Sequence, residues 1–393
     1  MIAASVRCNM VGPMQPASPF RLALGGLFAI AAAMGIGRFV YTPILPSMMA
    51  ELGLTAREAG LIASANYLGY LAGAIAAAGG WAAGRERAVM IIALAGSAAL
   101  AAAMAGVDSM PAFMLIRFLA GFASAFAMIF TTAIVFGHLG VAGRDDLQGL
   151  QFAGVGVGIA VSAVMTALLH GEGAAWPAIW IWSGVLSALA LVLTAILVDR
   201  GPPGTGRRTM EPPLRLDSRL SAIVIAYGLF GFGYIVTATF LVAIVRQNGS
   251  GPLLESAVWL VTGIAVIPSV HLWSLLGRRI GLPRTFALSC VVDAVGVVAS
   301  VVLGGTIGPL LGGLLLGATF VAITAIGLQL GRLAVPRSPR RILSFMTVSF
   351  SIGQIAGPAL AGLLAQAAGG YLLPSLAAAL ALVIAAILVA RIA

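Results

Sequence analysis

Long apolar runs dominate the chain, and short breaks rich in Gly, Pro or charged residues separate them. One crossing of the hydrocarbon layer needs about 20 mostly apolar residues. The breaks delimit twelve runs of about this length or more, near residues 21–49, 57–81, 88–107, 111–138, 149–170, 177–198, 220–245, 253–276, 284–304, 308–331, 342–367 and 371–390. The pattern predicts twelve membrane spans.

These spans are predicted to be α-helices. In lipid the backbone must satisfy its own hydrogen bonds, so a span is either a helix or a strand of a closed barrel. Barrel strands alternate apolar and polar residues over about ten positions. The runs here are about twice as long and rich in Ala, Leu and Gly. The expected fold class is an all-α membrane protein.

Composition supports a membrane protein. Hydrophobic residues make up 61% of the chain and charged residues 9%, with a mean hydropathy of +1.08. Soluble domains carry about 25% charged residues, so this chain could not cover a water-facing surface. The two cysteines, Cys8 and Cys290, offer neither a disulfide framework nor a CxxC metal or redox site. No cofactor or metal is expected.

The net charge of +10 comes from arginines, since the chain has no lysine. Nucleic acid is not an expected partner, because most of these arginines fall in loops where they orient the protein. With the N-terminus inside, the outer loops keep only Arg57 and Arg246. The inner set comprises Arg7, Arg21, Arg85, Arg87, Arg144, Arg200, Arg207, Arg208, Arg215, Arg219, Arg278, Arg279, Arg284, Arg332, Arg337, Arg340, Arg341 and Arg391. This positive-inside asymmetry predicts two cytoplasmic termini and an even number of spans.

The longest polar stretch lies in the middle of the chain and divides it in two. We expect a short cytoplasmic leader at 1–19, a six-helix half at 20–198, a cytoplasmic linker at 199–219 and a second six-helix half at 220–393. The leader lacks the apolar core of a signal peptide, and Met10 and Met14 are alternative starts.

The two halves repeat several features at nearly one separation. Gly35-Ile36-Gly37 matches Gly231-Phe232-Gly233 at an offset of 196 residues, and Glu58 matches Glu255 at 197. Gly154 and Gly158 match Gly353 and Gly357 at 199. Parallel six-helix repeats are typical of one large class of membrane transporters.

The first span, Gly35-Ile-Gly-Arg-Phe-Val-Tyr-Thr-Pro-Ile-Leu-Pro46, and the seventh, from Gly231 to Leu241, resemble the YbfB/YjiJ-type branch of the major facilitator superfamily (MFS). The loops at 80–87 and 277–284 resemble that superfamily's basic loop motif, although the first lacks its Asp. Arg117-Phe-Leu-Ala-Gly121 is similar to an element of the fourth helix that is associated with proton coupling. Gly353-Gln-Ile-Ala-Gly-Pro358 resembles a Gly- and Pro-containing motif. The resemblance covers the chain from residue 20.

The resemblance implies two pseudo-symmetric six-helix bundles and transport by alternating access about a midplane site. It also implies gating roles for Arg85 and Arg278 in the two basic loops and a coupling or gating role for Arg117. We expect a monomeric, multi-pass protein of the bacterial inner membrane, with membrane lipid around it and protons as the candidate coupling ion. The branch itself indicates no solute.

Arg38 is the clearest candidate for a functional side chain, because charges inside a membrane span are costly and by default functional. Gly35, Tyr41 and Thr42 share its helix face. A guanidinium beside a phenol and a hydroxyl suits a carboxylate-bearing solute held by bidentate bonds. The alternative is an arginine that snorkels to the outer interface, and the same alternative applies to Arg117.

The other titratable candidates have plausible structural roles. Asp293 is the one carboxylate well inside a span and is a candidate proton carrier, although the ninth helix would be peripheral in this fold. Thr55-Ala-Arg-Glu58 is typical of a capping box, and helix-dipole effects account equally for Glu255. His271 is either a titrating group or a polar packing residue.

The uncharged candidates lie on helices that would line the central cavity of such a fold. Each could instead hold helices together. With Arg38 and Tyr41, the predicted solute-binding set comprises Asn66, Tyr67, Tyr70, Gln151, Tyr234, Thr237, Gln329 and Gln354.

We therefore expect a secondary transporter for a small anionic or zwitterionic organic solute, with Arg38 and Tyr41 facing Tyr234 and Thr237. One alternative is a proton-driven multidrug exporter, which would depend on Asp293 or Glu58 and not on Arg38. Another is a receptor or a channel that does not work as a carrier. An enzyme is not expected, since no HExxH, GxSxG or phosphate-loop motif occurs.

Overall fold

The computed structural model describes residues 18–78, 81–199, 212–214, 217–249 and 251–392. Within these ranges, twelve helices are long and apolar enough to cross a membrane. They are α1 Pro19–Leu52, α2 Ala56–Ala77, α3 Glu86–Ala103, α4 Met110–Val141, α5 Gln148–Gly171, α6 Trp176–Leu197, α7 Ser218–Gln247, α8 Pro252–Ile280, α9 Leu282–Val302, α10 Ile307–Ala334, α11 Pro339–Ala368 and α12 Leu372–Ala390. The twelve predicted helices are confirmed.

Several sequence predictions concern residues outside the described ranges. They are the leader residues 1–17 with Arg7 and Cys8, Gly80 of the first basic loop, and most of the linker with Arg200, Arg207, Arg208 and Arg215.

The helices form two six-helix bundles, α1–α6 and α7–α12. We call the side of the molecule that carries Ser18, Asp199 and Asp217 the linker face. The distal face is the opposite side, which carries the turns at Gly53, Gly173 and Gly369. The bundles pack against each other along α2 and α11, α5 and α8, and α1 and α7. In the most apolar windows of α1 and α7, 89% and 83% of the residues are buried, against 39% and 33% for α3 and α6. The centre of the molecule is therefore built around α1 and α7.

Glycines allow the bundles to meet closely. A side chain at Gly60 would collide with the carbonyl oxygen of Pro358, and one at Gly362 with that of Ala56. Both contacts join α2 to α11 on the distal side. Small residues let membrane helices approach to backbone contact.

Two polar contacts join the bundles through backbone carbonyls. The Thr42 hydroxyl donates to the Ala238 carbonyl at 2.5 Å, and the Ser64 hydroxyl donates to the Ile355 carbonyl at 2.8 Å. With the glycine contacts, these bonds close the molecule on its distal side.

Helix α1 is irregular at its centre. A regular segment, Pro19–Ile30, passes into a π-helical segment, Ala31–Ile36, and residues 37–40 form a turn before helix resumes at Tyr41. Pro43 and Pro46 lack the amide hydrogens that would bond back to residues 39 and 42. Arg38 lies in this turn, where the amides of residues 37–40 still bond to carbonyls of residues 32–36. The Thr42 amide, however, bonds to the Phe39 carbonyl instead of the Arg38 carbonyl, so the Arg38 carbonyl needs another partner.

Candidate functional site

Arg38 lies buried at the boundary between the bundles, with 3% of its surface exposed. Its Nη2 donates to Oε1 of Gln354 on α11 at 2.7 Å. The Nε2 of Gln354 in turn donates to the Tyr234 hydroxyl on α7. A chain of three side chains thus links the first bundle to the second at mid-depth, and we call it the Arg38 relay.

Two tyrosines of α2 complete the surroundings of the guanidinium. The Arg38 Cζ lies 4.5 Å from the ring centroid of Tyr67 and 4.7 Å from that of Tyr70. Both are within the range of cation–π attraction, about 6 Å. The tyrosines are three residues apart, so the helical period puts them on one face.

An aromatic cluster on the second bundle supports the far end of the relay. The Tyr234 ring stacks on Phe320 at 5.4 Å, on Phe350 at 5.8 Å and on Phe230 at 5.0 Å between centroids. Phe39 packs edge-on against Phe320 at 5.6 Å. The sequence did not point to these phenylalanines, because a phenylalanine inside an apolar span resembles any lipid-facing or packing residue.

Arg117 does not snorkel to a membrane surface. Only 2% of its surface is exposed, and its fork donates to the carbonyls of Gly37 at 3.0 Å and Arg38 at 3.1 Å. The Tyr41 ring centroid lies 5.3 Å from its Cζ, and Asn66 donates to the Arg117 carbonyl at 2.9 Å. Arg117 thus provides donors to the turn in α1 that carries Arg38.

Neither buried guanidinium has an acidic partner among the described residues. The salt bridges in this part of the chain include Arg21–Asp199, Arg144–Asp146 and Arg246–Glu255, none of which involves Arg38 or Arg117. The Nε atoms of Arg38 and Arg117 are buried without a hydrogen-bond partner in the same part of the chain. A buried charge without a counter-charge is unfavourable, so this region is suited to receive a negative group.

The sequence matches the model of a family described as "Uncharacterised MFS-type transporter YbfB" over residues 30–390. The chain belongs to this family. The match confirms the predicted superfamily and branch. MFS-type transporters are not enzymes, so this protein is a transporter and not an enzyme. No curated protein matches the sequence.

Solved structures of MFS transporters share the fold of this YbfB-type protein. The nucleoside transporter NupG superposes with a TM-score of 0.71 at 17% identity, covering 95% of this chain and 98% of NupG. A bacterial homolog of the human lysosomal transporter Spinster, inward-facing and occupied, gives a TM-score of 0.71 at 14% identity, covering 95% of this chain and 97% of the homolog. At these identities the likeness establishes the fold alone.

The YbfB-type transporter brings some of the predicted solute-binding residues together and leaves others apart. Tyr67, Tyr70, Tyr234 and Gln354 meet at Arg38, whereas Tyr41 and Asn66 belong to the surroundings of Arg117. The Tyr41 hydroxyl donates to the Ala59 carbonyl at 2.9 Å. Thr237 is buried one helical turn closer to the distal face than Tyr234. Its hydroxyl has no hydrogen-bond partner among the described residues.

Two glutamines of the predicted set lie away from the relay. Gln151 is buried inside the first bundle, where its Nε2 donates to Thr132 at 2.7 Å. Gln329 is exposed near the linker end of α10. The sequence predicted these two glutamines to bind the solute only because they are polar residues in helices that would line the cavity.

Asp293 is fully buried in α9. Neither of its carboxyl oxygens has a hydrogen-bond partner within the described ranges. No contact among the described residues joins it to the Arg38 relay.

Most of the remaining coupling or gating candidates lie near the ends of helices. Glu58 forms the predicted capping box with Thr55. Glu255 is buried and bonded through both oxygens to Arg246, at 2.7 and 2.6 Å. His271, Arg85 and Arg278 are exposed.

Proposed function

We propose that this protein is a secondary transporter that carries a small organic anion or zwitterion by alternating access, with Arg38 as the group that binds the solute's carboxylate. The observation that carries the proposal is the pair of buried guanidiniums, Arg38 and Arg117, with no acidic partner among the described residues. A bound carboxylate would neutralise this charge.

In this proposal Gln354 occupies the carboxylate's place when no solute is bound. Its amide oxygen is the one hydrogen-bond acceptor that the described residues offer to the Arg38 guanidinium. An amide oxygen is a weaker acceptor than a carboxylate, so an incoming solute would displace it. Tyr234, released from Gln354, would then face the solute from the second bundle.

We further propose that the linker face is cytoplasmic and that the membrane is the bacterial inner membrane. The asymmetry of the loop arginines supports this orientation. The halves 20–198 and 220–393 would rock about the relay, with the leader 1–19 and the linker 199–219 in the cytoplasm. Protons are the proposed coupling ion, on the strength of the Arg117–Gly121 element.

The test is transport by purified protein in vesicles, with a panel of organic acids and amino acids, with and without a pH gradient. We expect at least one carboxylate to be transported. Arg38→Gln should lower its transport efficiency by at least about 30-fold, because removing one partner of a buried charge pair costs about 2 kcal/mol or more. The control is Arg57→Gln, which removes an exposed arginine at the distal end of α2.

Transport that is unchanged in Arg38→Gln would contradict the anion site. If transport of lipophilic cations required Asp293 or Glu58 while Arg38 was dispensable, the protein would be a multidrug exporter instead. Binding of a solute without movement under any gradient would favour a receptor.

A further inference from the structure

Aromatic rings from both bundles surround the Arg38 relay. On the first bundle, the rings of Tyr67 and Tyr70 lie 4.5 and 4.7 Å from the Arg38 Cζ. On the second bundle, the relay ends at the hydroxyl of the Tyr234 ring. A solute held by Arg38 therefore has aromatic rings of both bundles as its neighbours.

The Tyr234 ring belongs to a group of stacked rings. Its plane lies 7° from that of Phe320 on α10 and 10° from that of Phe350 on α11, with centroids 5.4 and 5.8 Å apart. Phe230, one helical turn earlier on α7, stacks on the same ring with planes 22° apart. We call these four residues the ring stack. Stacking adds to apolar burial only where both partners are flat rings, so the ring stack can distinguish a flat ring from a puckered one.

Gln354 and Tyr234 together present two groups to Arg38. The Gln354 Oε1 accepts from the Arg38 Nη2 at 2.7 Å, and the amide nitrogen of the same side chain donates to the Tyr234 hydroxyl. Arg38 thus faces a carbonyl oxygen with an aromatic ring next to it. A carboxylate joined to an aromatic ring, directly or through a short chain, offers the same two groups in one molecule, with the negative charge that an amide lacks.

We propose that the solute bound at Arg38 is an aromatic carboxylate whose ring packs against the ring stack. The contact between Phe39 of α1 and Phe320, with 5.6 Å between centroids, crosses the boundary between the bundles. Movement of one bundle relative to the other breaks this contact and uncovers the Phe320 ring for the solute. The inference rests on the proposed transport of an organic anion and names the class of that anion.

The test compares aromatic acids with their saturated counterparts, which have the same charge and the same number of carbon atoms. The pairs are benzoate with cyclohexanecarboxylate, phenylacetate with cyclohexylacetate, and phenylpropanoate with cyclohexylpropanoate, so the distance from carboxylate to ring varies. Binding to the purified full-length protein is measured by titration calorimetry. For at least one pair, we expect the aromatic acid to bind about three- to tenfold more tightly, the effect of one or two stacked ring pairs. Apolar burial alone would favour the saturated ring, which has the larger surface.

Two substitutions remove one ring of the stack and keep an apolar side chain, namely Phe320→Leu and Phe350→Leu. Each should weaken binding of the preferred aromatic acid about three- to tenfold and change binding of its saturated counterpart by less than about twofold. Phe240→Leu is the matched control, because Phe240 is a fully buried ring of α7 that packs on Tyr371 at 5.1 Å between centroids. It should keep the preference of the unsubstituted protein.

Equal affinities within every pair would overturn the inference, as would a preference for the aromatic acid that both Phe320→Leu and Phe350→Leu retain. If the members of a pair bind equally and both lose affinity in Arg38→Gln, the anion site stands and the aromatic class fails. A preference for the aromatic acid that depends on the two phenylalanines but not on Arg38 would instead overturn the anion site and leave the aromatic class standing. Binding of none of the acids would overturn both.

Discussion

At the residue scale, the central feature is a guanidinium that is satisfied only in part. Arg38 has one neutral acceptor, the Gln354 amide, and two tyrosine rings beside it. These neighbours can hold a positive charge at mid-depth without neutralising it. The arrangement leaves most of the guanidinium's capacity to donate hydrogen bonds to an incoming group.

Gln354→Glu should therefore inhibit transport of an anionic solute. The new carboxylate would bind Arg38 with a charge-assisted bond and compete with the solute. We expect the KM for the transported anion to rise about tenfold or more, with no loss of thermal stability. Gln366→Glu is the control, because Gln366 is an exposed residue of the same helix. An unchanged KM in Gln354→Glu would argue against the proposed displacement of the amide.

At the element scale, the turn in α1 shows what the sequence could and could not predict. The twelve apolar runs of the sequence predicted the twelve helices, because the length and apolar character of a span are local properties. The π-helical segment and the turn at 37–40 were not predicted, although Pro43 and Pro46 mark the region. The turn also depends on Arg117, which is far away in sequence and donates to its carbonyls. Such a long-range contact has no local pattern.

The same limit applies to the candidate site. Arg38, Tyr67 and Tyr70 were predicted because a charge or a phenol inside a span is unusual. Phe320 and Phe350 were missed because aromatic residues are common in such spans. Gln151 and Gln329 were predicted to bind the solute because their helices would line the cavity. A helix has residues on all of its faces, however, and these two lie away from the Arg38 relay.

Arg117→Lys should destabilise the protein, since an ammonium cannot reach both carbonyls with the geometry of the guanidinium fork. We expect a loss of about 1–3 kcal/mol, the range for a buried polar group left without its partner. Thermal unfolding in detergent measures this loss of stability, with Arg57→Lys as the control at an exposed position. Equal melting temperatures for the two variants would show that the Arg117 bonds to the α1 turn do not stabilise the protein.

At the whole-molecule scale, alternating access requires the contacts that close the distal side to break and form again. Close packing of Gly60 against the Pro358 carbonyl is part of that closure. Gly60→Ala should prevent α2 and α11 from meeting. Pulsed electron paramagnetic resonance between spin labels at Ala175→Cys and Asn248→Cys, two exposed positions of the distal face, should then show a larger share of long distances. Gly96→Ala is the control, because a Cβ at Gly96 meets nothing within 4 Å. Identical distance distributions in both variants would show that this contact does not set the closed form.

The most direct test of the anion site compares one transported carboxylic acid with its uncharged amide, in the unsubstituted protein and in Arg38→Gln. Binding to each protein is measured by titration calorimetry. We expect the unsubstituted protein to bind the acid at least about 30-fold more tightly than the amide and Arg38→Gln to lose this preference. A preference for the acid that is the same in both proteins would contradict the proposed carboxylate site at Arg38.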